Sequence, residues 1–342
     1  MGATGAPQSP KQKRYGFSQQ SVWGTGEADA AAFIEIDCDD FEIDRDIKLD
    51  ERQNSHGSRV PSEKDKIHHT KGSTPKFSVK SVANPTTLDH FIYATGLAVV
   101  EAVASPFSET FTLSTSQHDL SAITAITDAG HISTWIERDP ADSKSIKAVD
   151  CISPKISLIW EPGQPLMIEQ DWIGRGVPII TSNPSGTWTK TTDNPFHFTD
   201  IDVVTIATTP YHLAGLKLTF GYPEVEGYGQ SGSGSFANYN FGAPSLEYEI
   251  KIVKDADWET NLASYATDTM IAFRVGAGNA TPGTDDGDLD FAWNGLVDTA
   301  VKNHDKMMSG TLTGTMCTNA AMSNEALTII TANAIDRTWT GA

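Results

Sequence analysis

The chain has 342 residues, 39% hydrophobic and 20% charged, and its 44 acidic against 25 basic residues leave a formal net charge of −19. That length suits two domains of about 150 residues each rather than one, and that charge excludes a surface that grips phosphates, because nucleic-acid binding requires clustered cations. No stretch reaches the roughly 18 apolar residues of a membrane span, and the opening residues lack a signal-peptide apolar run, so neither a membrane protein nor secretion by that route is expected.

Cys38, Cys151 and Cys317 are odd in number and widely spaced, which suggests three buried thiols rather than a disulfide framework or a zinc site. Frequent Gly, Thr and Ser, with only short helical patterns, predict a β-rich fold.

Residues 1–30 lack periodicity, carry a small basic cluster at Lys11, Lys13 and Arg14, and predict a flexible arm. From residue 31 the pattern changes, and Phe41, Ile43, Ile47 and Leu49 alternate with charge as in a strand with an acidic outer face. Residues 50–72 have scarcely an apolar anchor and read as a long exposed loop. In Lys76–Val82, Phe77 and Val79 alternate with Ser and Lys, which predicts a strand. It feeds a short helix capped by Thr86 or Thr87, with Leu88, Phe91 and Ile92 on one face and Gly96 as its stop. Residues 97–130 form an insertion with a strand at Phe111–Leu113 and a short helix or turn at Leu120–Ile126. Strands at Ile132–Glu137, Lys155–Trp160 and Leu166–Trp172 close this half.

The same order then returns. A strand at Leu216–Phe220 leads into a polar loop over 221–240, a strand at Leu246–Val253 and a helix ending in Tyr265-Ala266-Thr267. The first helix ends in Tyr93-Ala94-Thr95, 172 residues earlier, counting from 93 to 265. Strands at Met270–Val275, Gly310–Met316 and Leu327–Thr331 complete the second half. The prediction is two tandem β domains, 31–180 and 196–342, joined by an Asn-, Pro-, Gly- and Thr-rich linker over 181–195, each with one short flanking helix.

No catalytic constellation emerges. Gly227-Tyr-Gly-Gln-Ser-Gly232 matches the dinucleotide pattern, but its glycines serve only where a strand meets a helix, and no helical periodicity follows. Asp285–Asp290 lacks the spacing of a calcium loop and reads as a solvated acidic turn. His56, His68 and His69 share a polar loop with Glu63 and Asp65, where solvation is the simpler reading than ligation. Trp135, Trp160, Trp172 and Trp188 could form a sugar platform, although aromatics on alternating strands more often belong to a core. Catalytic, cofactor-binding and metal residues are therefore all expected to be absent, and the protein is not expected to be an enzyme.

The run Ile43–Pro61, followed by Lys71–Val79, resembles the tail tube proteins of long-tailed double-stranded DNA viruses, in which a strand, a long loop, a returning strand and a helix recur in this order. The doubled layout, over roughly residues 33–335, is similar to the two-domain members of that family. The resemblance implies a mainly β fold of two tandem sandwich or barrel domains whose sheets join those of neighbours into a β-barrel around a channel. It further implies a virion structural protein, assembled in the host cytoplasm, that stacks into a tail tube for genome ejection. Its expected partner is itself, in homotrimeric, pseudo-hexameric rings or in hexamers, followed by tape measure, tail terminator and tail tip proteins. Double-stranded DNA would pass through an acidic lumen without specific binding. The loops over 50–72 and 221–240, with the arm, would make ring-to-ring contacts. A β-sandwich adhesin or carbohydrate-binding surface protein is the alternative from the binding class, and a glycosidase the one from the enzyme class, for which no acid is nominated.

Overall fold

The computed structural model describes residues 13–20, 22–28, 31–38, 41, 43, 49–53, 66–70, 75–102, 105–113, 131–139, 144–176, 178–190, 193–222, 224–230, 236–242, 244–253, 265, 269–278, 281, 283–302, 309–318 and 325–333. In chain order these form β1 (Arg14–Gln19), β2 (Phe33–Ile36), β3 (Leu49–Gln53), β4 (Lys66–Thr70), β5 (Lys76–Val82), α1 (Pro85–Tyr93), β6 (Ala98–Glu101) and β7 (Phe107–Leu113). Next come β8 (Ser133–Asp139), β9 (Lys144–Trp160), β10 (Met167–Ile173), β11 (Ile179–Ser182), β12 (Trp188–Lys190), β13 (Ile201–Ile206), β14 (Thr209–Pro210) and β15 (Leu213–Gly221). The chain closes with β16 (Val225–Gln230), β17 (Phe236–Phe241), β18 (Ser245–Val253), β19 (Ile271–Ala277), β20 (Leu289–Lys302), β21 (Ser309–Met316) and β22 (Leu327–Asn333). The fold is mainly β, and α1 is the one α-helix given in full among the described residues.

Eighteen strands share one hydrogen-bonded network, which two long strands divide into three sheets. The first runs β12-β2-β1-β8-β9-β11, antiparallel except for the parallel β12–β2 pair. The central sheet runs β5-β10-β9-β15-β18-β21-β20 and is antiparallel throughout. The third runs β14-β13-β19-β20-β22-β7-β6. β9 leaves the first sheet for the central one near Asp150, which has φ +51°, and Pro154, which has no N–H to donate. β20 makes the equivalent passage at Gly295, next to a bulge between Val297 and Thr299. Bulges and missing donors bend a strand enough to let it serve two sheets.

The pairing order β5-β10-β9-β8 in the first half matches β18-β21-β20-β19 in the second. One core cluster spans both halves. In the first, Phe17, Phe77, Phe91 and Trp172 pack around Trp135, the two indoles 4.9 Å apart. In the second, Phe273 stacks on Trp293 at 5.1 Å, with Tyr248 alongside. Such offset or edge-on pairs add to the stabilisation from burial. α1 buries Leu88, Phe91 and Ile92, as its apolar spacing predicts.

Several expectations are corrected. The helix is capped by Asn84, not Thr86 or Thr87: its side chain accepts from the N–H groups of both threonines at 3.1 and 3.0 Å. Gly96 does follow the helix, with φ +87°. Residues 14–19 of the expected arm are an interior strand of the first sheet, with Phe17 only 2% exposed. The loop expected over 50–72 contains the β3–β4 hairpin, and that over 221–240 the β16–β17 hairpin. β20 is a further strand beyond those expected, and β22 pairs with β20 and β7, while β21 pairs with the other end of β20. β7, from the expected insertion, thereby ties the first half to the second. The segment 181–195 carries β12 and the end of β11. The second helix lies outside the described residues except for Tyr265, as does the turn at Leu120–Ile126.

Candidate functional site: the polar face of the central sheet

Alternation in the central strands sends one set of side chains into the core and the other onto a single polar face. From β5 come Lys76, Ser78 and Lys80, exposed between buried Phe77 and Val79. Register places the rest: Glu169 opposite Lys80, and Asp171 opposite Ser78 and Lys155. Thr219 lies opposite Ser157 and Glu247, and Lys217 opposite Glu249. Thr313 and Thr315 on β21 complete the face beyond Glu249 and Glu247.

These side chains bind one another. Ser78 Oγ donates to Asp171 at 2.6 Å, Lys80 Nζ pairs with Glu169, and Lys251 Nζ lies 3.0 Å from Glu249. Ser157 and Thr219 hydroxyls meet at 3.0 Å across the β9–β15 junction, and Thr315 Oγ1 donates to Asp298 at 3.3 Å. The face holds two grooves, about 320 Å³ over Lys217, Glu247, Glu249 and Asp298, and about 290 Å³ over Lys80, Lys155, Glu169 and Asp171. Beneath the first, burial pushes the Tyr248 phenol well up, and its hydroxyl donates to the Leu296 carbonyl at 2.9 Å. Of the lysines on this face, Lys80, Lys155, Lys217 and Lys251 each stand beside a carboxylate, which breaks up the row of cations that a polyanion would need.

A second polar assembly is buried. The Asp150 carboxylate accepts from Gln20, from the Gly24 N–H at 2.8 Å and from Arg175 Nη1 at 3.1 Å, while Arg175 stacks over Trp23. These three donors converge on one carboxylate, Gln20 Nε2 also donating to the Val22 carbonyl at 2.7 Å, and the arrangement holds the bend of β9 rather than offering a reactive group. Beside it the Cys151 thiol is pushed well up by burial and by Asp150.

The residues singled out by sequence are dispersed. Gly227 and Gly229 lie on β16, which turns into a strand rather than a helix, so no pyrophosphate cradle forms there. Asp285 and Asp286 are exposed in a turn, but Asp288 and Asp290 are 2% and 4% exposed, which corrects the solvated reading for those two: Asp288 accepts from the N–H groups of Thr284 and Asp285, and Asp290 pairs with Arg274. His68 and His69 are neighbours on β4, and His56 lies outside the described residues. Trp135, Trp160 and Trp172 are buried, and Trp188 is half-buried between Arg14 and Arg138 and stacked on Phe33. Cys38 and Cys317 are partly exposed, so only Cys151 is buried as expected. Among the described residues no three His, Cys, Asp or Glu side chains gather as metal ligands, and no helix is long and apolar enough to cross a membrane. The polar face itself was legible in runs such as Lys76-Phe-Ser-Val-Lys80 and Thr311-Leu-Thr-Gly-Thr315, but its continuity depends on register. The chain matches no protein-family model and no curated protein.

Proposed function

We propose that the chain is a structural virion protein that self-assembles into stacked rings forming a viral tail tube. The observation that carries this reading is the junction between β9 and β15: the central sheet passes from one half of the chain to the other without a break. The recurrent pairing order supports descent of the halves from one duplicated unit. A sheet built by joining equal units edge to edge leaves two bare margins, and closing it into a barrel removes them. The polar face of the central sheet would then line the channel. Four of its lysines, Lys80, Lys155, Lys217 and Lys251, are matched by carboxylates, so it is a wall of mixed charge rather than a uniformly acidic one. Paired charges give passing DNA no sustained grip, and the remaining acid of the chain repels it. If six units close a ring, two units per chain give trimeric rings with pseudo-sixfold symmetry, the hexamer being the alternative, with tape measure, terminator and tip proteins as the further partners.

The adhesin alternative loses its motive, because three of its four tryptophans are core residues. Negative-stain electron microscopy of the purified protein tests the proposal: rings or tubes with a central bore are expected, and compact monodisperse particles at every concentration would refute it.

A further inference from the structure

The two hairpins that stand outside the large network occupy equivalent places. β16–β17 lies between β15 and β18. β3–β4 lies between Cys38, which bridges to Ser81 on β5, and β5 itself. The second-half hairpin is docked on the first half. Its Val225 and Tyr239, with Tyr222, cover Ile132, Ile152 and Ile173 in a separate apolar cluster, Tyr239 lies edge-on to Trp23 at 5.8 Å, and its hydroxyl reaches the Asp150 carbonyl at 3.4 Å. Ile132, Ile152 and Ile173 are consequently 3%, 2% and 6% exposed.

The second half has the same three places. Ile152 and Ile173 are partners across β9 and β10, and Asn294 and Cys317 are joined in the same way beside β20 and β21, by a Cys317 N–H to Asn294 carbonyl bond of 2.9 Å. Met270 precedes β19 as Ile132 precedes β8. All three are half-exposed, as is Leu296 next to them, at 39%. Among the described residues, therefore, each chain presents one hairpin that pairs with no other strand and one seat less covered than the one that β16–β17 occupies.

We infer that β3–β4 of one copy docks over Met270, Asn294 and Cys317 of a neighbouring copy, repeating between chains the contact that β16–β17 makes within one. The occupant is a second copy because the seat continues the β9–β15 junction at the opposite end of the same sheet, where β20 is the margin. A hairpin and a seat on different surfaces make a heterologous contact, which propagates head to tail and closes into a ring if the rotation permits. This inference rests on the ring-assembly reading and assigns β3–β4 to a lateral contact within the ring, not to stacking between rings.

Disulfide trapping in the full-length protein tests it. With Cys38→Ser in the background, single cysteines introduced at Lys66, Ile67, His68, His69 and Thr70 are oxidised in assembled material. At least one is expected to give interchain disulfides with Cys317, seen as a ladder on non-reducing gels and reduced to background by Cys317→Ser. A second variant replaces residues 49–70 with a short Gly-Ser turn. It is expected to keep the thermal transition of the isolated chain and to lose rings. Intact rings with no cross-link at any of the five positions, or rings that survive removal of the hairpin, would overturn the inference and leave the tube reading standing. A wild-type chain that never assembles would overturn both.

Discussion

Arg274 on β19 and Asp290 on β20 meet diagonally across the two strands, Nε to Oδ1 2.7 Å, with the carboxylate almost buried. Burial raises the Asp290 pKa more than Arg274 lowers it. A carboxyl whose pKa is raised in the fold binds its proton more tightly folded than unfolded, so its contribution to stability falls as pH rises through the window just above the ordinary Asp value. Removing the guanidinium widens that window. Arg274→Gln is expected to lose about 2 kcal/mol at pH 7, less than a fully buried pair because Arg274 is partly exposed, and clearly less at pH 4. Urea titrations at the two pH values measure the difference. Asn84→Ala should cost about 1 kcal/mol through its two lost cap bonds, whereas Thr87→Ala leaves the capping carbonyl oxygen in place. The cap is instructive about legibility: Asn-Pro-Thr-Thr offers three side chains able to cap, and only the backbone angles, with Asn84 extended and Pro85 at the first helical position, select one. Cys151, buried with its thiol pushed up, should resist alkylation at pH 8 until the chain unfolds, while Cys38 and Cys317 react in the native state.

At the scale of elements, the strands with unbroken alternation were the readable ones. Lys76–Val82 and Ser245–Val253 show their period in the sequence because each lies in one sheet with one face covered. β20 hides its period. Leu289, Phe291 and Trp293 alternate, then Asn294-Gly295 looks like a turn and the bulge between Val297 and Thr299 shifts the phase. Gly314, opposite the bulge, is the residue on which this passage depends. A Cβ there would lie 1.8 Å from the Leu296 carbonyl oxygen, whereas at Gly163, with φ +74°, it would meet nothing within 4 Å. Gly314→Ala should therefore cost about 3 kcal/mol or more through steric displacement of β20. Gly163→Ala should cost about 1 kcal/mol, from its backbone angle alone. Thermal denaturation of the two variants distinguishes these causes. The hairpins β3–β4 and β16–β17 are hard to read for another reason: β3 and β4 are short and largely charged or polar, and the Gly and Asn residues of β16 and β17 interrupt the alternation around Val225 and Tyr239.

For the whole molecule, a net charge of −19 opposes any self-association, and added salt screens that repulsion within about 10 Å at 0.1 M. Assembly followed by light scattering is expected to be faster and more complete at about 150 mM salt than at about 10 mM. The opposite trend would mean that attractive ion pairs between copies dominate. By itself the sequence determined that the chain is β-rich and carries a net charge of −19, because composition and period-two alternation are local properties. Only the tertiary structure decided that β9 and β20 each serve two sheets, that β7 of the first half completes a sheet of the second, and that Lys80, Lys155, Lys217 and Lys251 of the polar face stand beside carboxylates. Those outcomes depend on cross-strand register, and register is set by which apolar faces meet in the core, between residues far apart in the chain.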